Sequence, residues 1–396
     1  MDEREFVPTA DSMRETTIKV NIMEEPEPRI DNAFLGERPP RSIGLITRQT
    51  EPRVLETPLN KVDSFLTPTE LFYVRSHSPA PKLDAKSYRL RIDGAVRNPF
   101  SLTYDQLRQM PAVTRTALLE CAGNSRVFLV PQARGAQWEL GAVGTAEWTG
   151  VSLVDLLKQA GLEDDACEIV LEGPDRVLPA EEPKPPAPLA YARSLPRAKA
   201  LQEDVLIAYQ MNGEDLTEDH GYPVRAIVPG HYAMASVKWL TRICAVTEPF
   251  AGYWQTSDYA CWDYVDGKPV RRPLREIGLK SEIFRPSPHE TVPPNQVYLV
   301  FGAAWAGEGE VTEISISTDG GQTWSQGEFI DPIVRYAWRR WRFHWVTPKK
   351  PGRYTLFSRA KAANGDVQPE KHDENNGGYV INHPLPIEIT VDDLRA

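Results

Sequence analysis

Apolar positions are sparse and unpatterned through the first 60 residues, where polar and proline residues dominate. Residues 1–60 therefore read as an N-terminal extension or arm. The pattern changes near Ser87. "SYRLRIDGAV" alternates as a half-buried strand does and ends in a turn. "SLTYDQLRQM" predicts a capped helix, and "VTRTALLE" a strand that delivers Cys121. "VSLVDLLKQAGL" carries apolar residues at helical spacing, with Gly161 as its stop signal, and "CEIVLEG" predicts another strand. The proline-rich run from Pro179 to Pro188 can only be a loop. Strands and helices mix irregularly as far as Ala251, which gives an α+β domain over residues 61–251 and a connecting segment over 252–289.

From Gln296 the pattern is different. "QVYLVFGAAW", "EVTEISIST", "WRRWRFHWV", "GRYTLFSRA" and "LPIEITV" are short alternating segments separated by turn signals, the spacing of a β-sandwich over residues 290–396. "STDGGQTW" is the clearest turn. It occurs once, so it reads as a hairpin device and not as the repeated blade motif of a propeller.

Composition narrows the function classes. The 396 residues suit two or three domains, and 41% hydrophobic with 25% charged residues is ordinary for a globular chain. Lys and Arg number 45 against 55 Asp and Glu, a formal net charge of −10. Such a chain is a poor general binder of nucleic acid or anionic membrane, and an anionic substrate would need a local basic pocket. No stretch reaches the length of a membrane span. The start "MDEREFVPTADSM" has neither a basic nor an apolar leader region, so the expected location is the cytoplasm, with the periplasm left open. The four cysteines, Cys121, Cys167, Cys244 and Cys261, form no CxxC pair, which argues against a zinc ribbon or attached haem.

Cys121 has unusual company. "LECAGNSR" surrounds it with small residues that permit close backbone approach, an Asn suited to a turn, and Arg126 within reach of an anion. A thiolate so placed suits a soft or high-valent metal centre. From Cys121 to Val151 the chain resembles the sulfite oxidase family of molybdopterin enzymes. Further blocks agree in order: "LFYVRSHSPAP", "MNGEDLTEDHGYPVRAIVPG", "VKWL", "WQTSDY" and the C-terminal "DVQPEKHDENNGGYVIN". The resemblance covers about residues 60–394.

The resemblance implies a molybdopterin-binding domain followed by an Ig-like sandwich that mediates homodimerisation. It implies that Cys121 is the protein's ligand to molybdenum. Phe72, Tyr73, Arg75, His77, Cys121, Asp175, His220, Arg225, Ser236 and Lys238 would bind the cofactor. Asp175 would accept from pterin N–H groups, because a carboxylate only accepts. Arg75 and Arg126 match the family's anion-holding arginines, and Trp138 and Tyr259 its pocket aromatics. Arg339, in "YAWRRWRF", would lean toward the same pocket. Each residue also has an ordinary alternative: Arg75 as a structural ion pair, His77 and His220 as satisfied interior histidines, Trp138 as core, Arg339 on a solvated face. The implied activity is oxidation of sulfite to sulfate.

The sequence departs from the vertebrate-type pattern, which has two arginines after CAGN where this chain has Ser125 before Arg126. A shorter loop follows. No haem or flavin segment is visible, so electrons would leave to a separate acceptor: a cytochrome, another protein or dioxygen. Two other readings remain: a reductase of nitrate or a sulfoxide on the same scaffold, and a noncatalytic Ig-like binding protein.

Overall fold

The structure is a computed structural model that describes residues 44–179 and 185–393. Most of the expected N-terminal arm and part of the proline-rich loop lie outside the described residues. Residues 46–56 are built in: strands Ile46–Gln49, Val54–Glu56 and Val74–Arg75 form a three-stranded sheet, and Val54 to Thr57 are buried.

Two five-stranded sheets make the first half. One runs Glu214–Asp215, Leu206–Met211, Val143–Ser152, Val113–Glu120, with Arg225–Ile227 also paired to Leu206–Met211. The other runs Phe100–Thr103, Arg89–Gly94, Arg242–Val246, Glu168–Val177, Leu189–Pro196. All pairings in these sheets are antiparallel except Arg242–Val246 against Arg89–Gly94.

Helices are few and short. The predicted helix at "SLTYDQLRQM" shrinks to Tyr104–Gln109, because Phe100–Thr103 pairs as a strand. Thr103 then caps the helix: its hydroxyl accepts from Gln106 N (3.0 Å), and Gln106 Oε1 accepts from Thr103 N (2.9 Å). Helix Leu153–Ala160 buries Leu153, Val154, Leu156, Leu157 and Ala160 and ends at Gly161, whose φ of 68° only a glycine adopts without strain. Among the described residues no helix is long and apolar enough to cross a membrane.

The second half is two antiparallel-rich sheets. Lys280–Arg285, Val297–Trp305, Arg339–Val346 and Glu328–Phe329 form one. Thr291–Val292, Ile387–Val391, Gly352–Ala362, Val311–Ser317 and Ser325–Gln326 form the other. Trp305, Trp338 and Trp341 are wholly buried. The segment 252–289, read as a connection, holds a π-helical turn at Trp254–Asp258, the hairpin Ala260–Val265/Lys268–Pro273, and strand Lys280–Arg285. That last strand is buried on both faces and carries Lys280, Ser281 and Glu282, so it shows no alternation.

Candidate active site

Strand Val113–Glu120 alternates across two cores: Ala117, Leu119 and Cys121 pack into one, Leu118 into the other. Cys121 therefore leaves the strand facing a cleft. Its N–H donates to Ala142 O (2.9 Å), and Asn124 Oδ1 accepts from Ala142 N (3.0 Å), which closes the turn after it. Ser125 occupies the left-handed region at φ 71°.

The cleft encloses roughly 710 Å³, part of it open to solvent. Ten residues named from sequence line it together: Phe72, Tyr73, Arg75, His77, Cys121, Asp175, His220, Arg225, Ser236 and Lys238. Tyr259 lines it as well.

At one end the donors converge. His220 ends the short 3-10 helix Glu218–His220, with its Nδ1 on Thr217 Oγ1 (2.8 Å) and Nε2 on Phe72 O (3.3 Å). Burial, then the charges of Arg225 and Lys238, lower its pKa to about 3, so the ring is neutral. Arg225 donates to His220 O and Ser236 O, both at 3.0 Å. Its pKa falls to about 10 by burial, which leaves it charged near pH 7. Lys238 Nζ donates to Ser76 Oγ (2.8 Å) and Asp219 O (2.9 Å). Burial and then Arg225 bring it down to about 7. Asp175, on strand Glu168–Val177 and within the field of Lys238, keeps Oδ1 buried without a hydrogen-bond partner among the described residues, and burial raises its carboxyl to about 6.

At the other end Tyr259 Oη meets His77 Nε2 at 2.7 Å. Burial and the cations Arg75 and Lys238 hold His77 well below its ordinary pKa, while burial holds the Tyr259 phenol well above its own. The phenol therefore donates and the imidazole accepts, which puts the ring proton on Nδ1. Tyr191 stacks on His77 with centroids 5.1 Å apart, and Trp254 lies at 4.8 Å. Among the described residues Arg75 donates to the neighbouring Ser76 carbonyl and has no carboxylate partner.

Three predicted residues do not line the cleft. Arg126 is buried, with Nε on Gly378 O and Nη1 on Ala136 O, each 2.9 Å, and its guanidinium 5.1 Å from the Tyr379 ring. It straps the Cys121 turn to the C-terminal segment. Trp138 is fully buried behind the wall, edge-on to Tyr73 at 6.1 Å. Arg339, in the second half as expected, donates to Asp331 O (2.9 Å) and Val311 O (3.2 Å) and rests 3.9 Å from Phe329. The dense charge of "RRWR" is locally compensated, since Arg340 pairs with Asp331 (2.7 Å) and Arg342 with Glu328 (2.9 Å).

Other residues escaped the sequence reading. Tyr191 follows the proline-rich loop with no motif around it, and Ser76 and Asp219 sit unremarked inside quoted blocks. Tyr379 lies in "NNGGYVIN": its ring is 5.4 Å from Tyr259, its hydroxyl donates to Asp258 (3.1 Å), and Val380 N donates to Ala122 O (2.8 Å).

The residues fit a molybdopterin. Buried cations and neutral donors suit its anionic tail, the orphaned Asp175 oxygen suits ring N–H groups, and one thiol faces the same space. Among the described residues no group of three or more His, Cys, Asp or Glu could hold a metal by itself, so Cys121 would need the cofactor to complete the ligand set.

Comparison with known proteins agrees. Residues 77–254 match the oxidoreductase molybdopterin binding domain, and residues 271–391 the Mo-co oxidoreductase dimerisation domain. Sulfite oxidase of Gallus gallus is 36% identical over 87% of this chain and 76% of its own length. Mitochondrial sulfite oxidase of Rattus norvegicus is 36% identical over 78% of this chain, which spans 58% of that relative. A nitrate reductase of Solanum lycopersicum is 34% identical, with 68% of this chain and 32% of its own covered. The crystal structure of the sulfane dehydrogenase SoxCD from Paracoccus pantotrophus superposes with a TM-score of 0.74 at 29% identity, covering 86% of this chain and 87% of that one. A cysteine-bearing cleft lined by the expected donors, two matching domains and relatives of this identity together place the chain in the sulfite oxidase family of molybdopterin oxidoreductases.

Proposed function

We propose that the protein oxidises sulfite to sulfate and passes the electrons to a separate acceptor. One observation carries this reading: the Cys121 thiol, the Tyr259 hydroxyl and the unpaired Arg75 guanidinium share one cleft with the cofactor donors. Bound molybdenum would supply oxygen-atom transfer and take up two electrons. Cys121 would hold the metal. Lys238, Arg225, His220 and Ser236 would hold the anionic tail, and Asp175 with the Phe72–Tyr73 backbone the pterin. Arg75 would orient the oxyanion through a planar fork of donors. Tyr259 keeps its proton at Oη, with His77 as acceptor, so it can turn that donor toward substrate oxygen. Tyr191 and Tyr259 give this part of the cleft an aromatic lining, and Trp254 packs against Tyr191 and His77. We assign catalysis to residues 61–251 and read residues 290–396 as an Ig-like sandwich that pairs two copies; the matched dimerisation domain and the two packed sheets support this.

The test is Arg75→Gln in the molybdenum-loaded protein. The sulfite KM should rise about tenfold with metal content unchanged, as expected for loss of a charged contact. An unchanged KM would remove Arg75 from the pocket. A second reading rests on Arg126 and Arg339 lying outside the cleft, which leaves Arg75 as the guanidinium there besides Arg225 of the cofactor donors. A less charged substrate, such as a sulfoxide, would suit it, and the same assay with a sulfoxide or nitrate separates the two.

A further inference from the structure

Behind the Cys121 turn lies a buried ionic cluster that the catalytic scheme does not use. Lys280 Nζ, 1% exposed, stands 2.7 Å from Glu282 Oε1, 3.2 Å from Glu120 Oε1 and 2.9 Å from Ser125 Oγ. The Ser125 hydroxyl, receiving from Lys280, donates on to Glu282 Oε1 at 2.8 Å. Asn124 Nδ2 bridges Glu120 Oε1 (3.2 Å) and Glu282 Oε1 (3.3 Å), and Trp305 Nε1 donates to Glu120 Oε2 (2.9 Å). Lys280 and Glu282 belong to a strand of the second half, whereas Glu120, Asn124 and Ser125 flank Cys121.

Stability alone does not account for this arrangement. Taking one ammonium and two carboxyls out of water costs several kcal/mol per ion, and well-packed apolar residues of similar volume often serve as well or better. Glu282 Oε2 even lacks a hydrogen-bond partner among the described residues. What the cluster does is local. It grips the turn on both sides of Asn124, holds Ser125 in a left-handed conformation that a serine rarely adopts, and sets one positive charge against two carboxyls one residue from the thiol. Groups behind a ligand orient it and tune the metal it holds.

We propose that Lys280 and Glu282 are positioning residues for the Cys121 turn, through which the second half of the chain fixes the geometry and the electrostatic surroundings of the thiolate ligand. The inference rests on the cofactor reading above.

The experiment uses the molybdenum-loaded protein and three variants: Lys280→Met, Lys280→Arg and Ser125→Ala. Lys280→Met removes the cation at nearly constant length, so uncompensated negative charge remains behind the thiolate. The metal midpoint potential should fall, and kcat should drop about tenfold with KM unchanged, because Arg75 is untouched. Lys280→Arg keeps the charge and should restore the potential. Ser125→Ala changes no charge and serves if Lys280→Met does not fold; cutting the link to the turn should shift the thiolate-to-metal absorption band and lower kcat. A loaded Lys280→Met protein with native potential, or a Ser125→Ala protein with native band and kcat, overturns the proposal. Wild-type protein that takes up no molybdenum would instead overturn the cofactor reading itself.

Discussion

Replacing Asp175 by asparagine should stabilise the cofactor-free protein, although it removes a residue proposed to hold the cofactor. The Asp175 carboxyl is buried, one of its oxygens has no partner, and its pKa rises from 3.8 to about 6. The main cause is burial, which penalises the charged form; Lys238 and the Asp175 N–H offset part of it. A folded-state pKa above the unfolded one means that the folded chain binds the proton more tightly. The penalty is absent below about pH 4, grows as the pH passes from 4 to 6, and is complete above that range. Two pKa units at 1.36 kcal/mol each amount to about 3 kcal/mol at neutral pH. An asparagine side chain in that place would occupy the same volume without the charge. Urea unfolding of cofactor-free Asp175→Asn should show stability higher than wild type by about 3 kcal/mol at pH 7.5 and nearly equal at pH 4. In the loaded protein the order should reverse, because the carboxylate then has donors to accept from. A cofactor-free variant no more stable than wild type at pH 7.5 would refute the reasoning.

Gly123→Ala would put a methyl carbon 2.2 Å from Arg126 Nη2, forcing Arg126 off the carbonyls of Gly378 and Ala136; a loss of about 1–3 kcal/mol in denaturant unfolding is expected. A variant as stable as wild type would show that the strap is dispensable. Lys238, whose pKa is brought to about 7 by burial and Arg225, must be charged to hold an anionic group. Binding of the cofactor to cofactor-free protein should then weaken as pH rises above 7, by up to about tenfold per unit, and Lys238→Met should flatten that dependence in reconstitution titrations. A flat wild-type profile would remove Lys238 from the anion site.

How far the sequence could be read depended on whether a residue's role lay in its own segment. The alternating segments of the second half are strands at Val297–Trp305, Val311–Ser317, Arg339–Val346, Gly352–Ala362 and Ile387–Val391, because turn signals and period-two alternation are local. "VTRTALLE" is the strand Val113–Glu120, and the residues that the motif blocks proposed for cofactor binding line one cleft. The run "RRWR" looks unpaired in the sequence because Asp331 and Glu328, the partners of Arg340 and Arg342, come beside it only in the fold. Arg126 keeps its place in the motif but turns its guanidinium to the carbonyls of Ala136 and of Gly378, 252 residues on, which no spacing reveals. Lys280 and Glu282 were invisible for the opposite reason: in a strand buried on both faces, polar residues carry no alternation, and their partners lie some 155 to 160 residues away.

The most direct test is sulfite-dependent reduction of an artificial one-electron acceptor, normalised to molybdenum measured in the same purified sample. Saturable turnover in the wild type that is lost in Cys121→Ser is the predicted result. Molybdenum-loaded wild-type protein that ignores sulfite would contradict sulfite oxidation. Turnover that persists in Cys121→Ser would contradict the role of Cys121 as the metal's thiolate ligand.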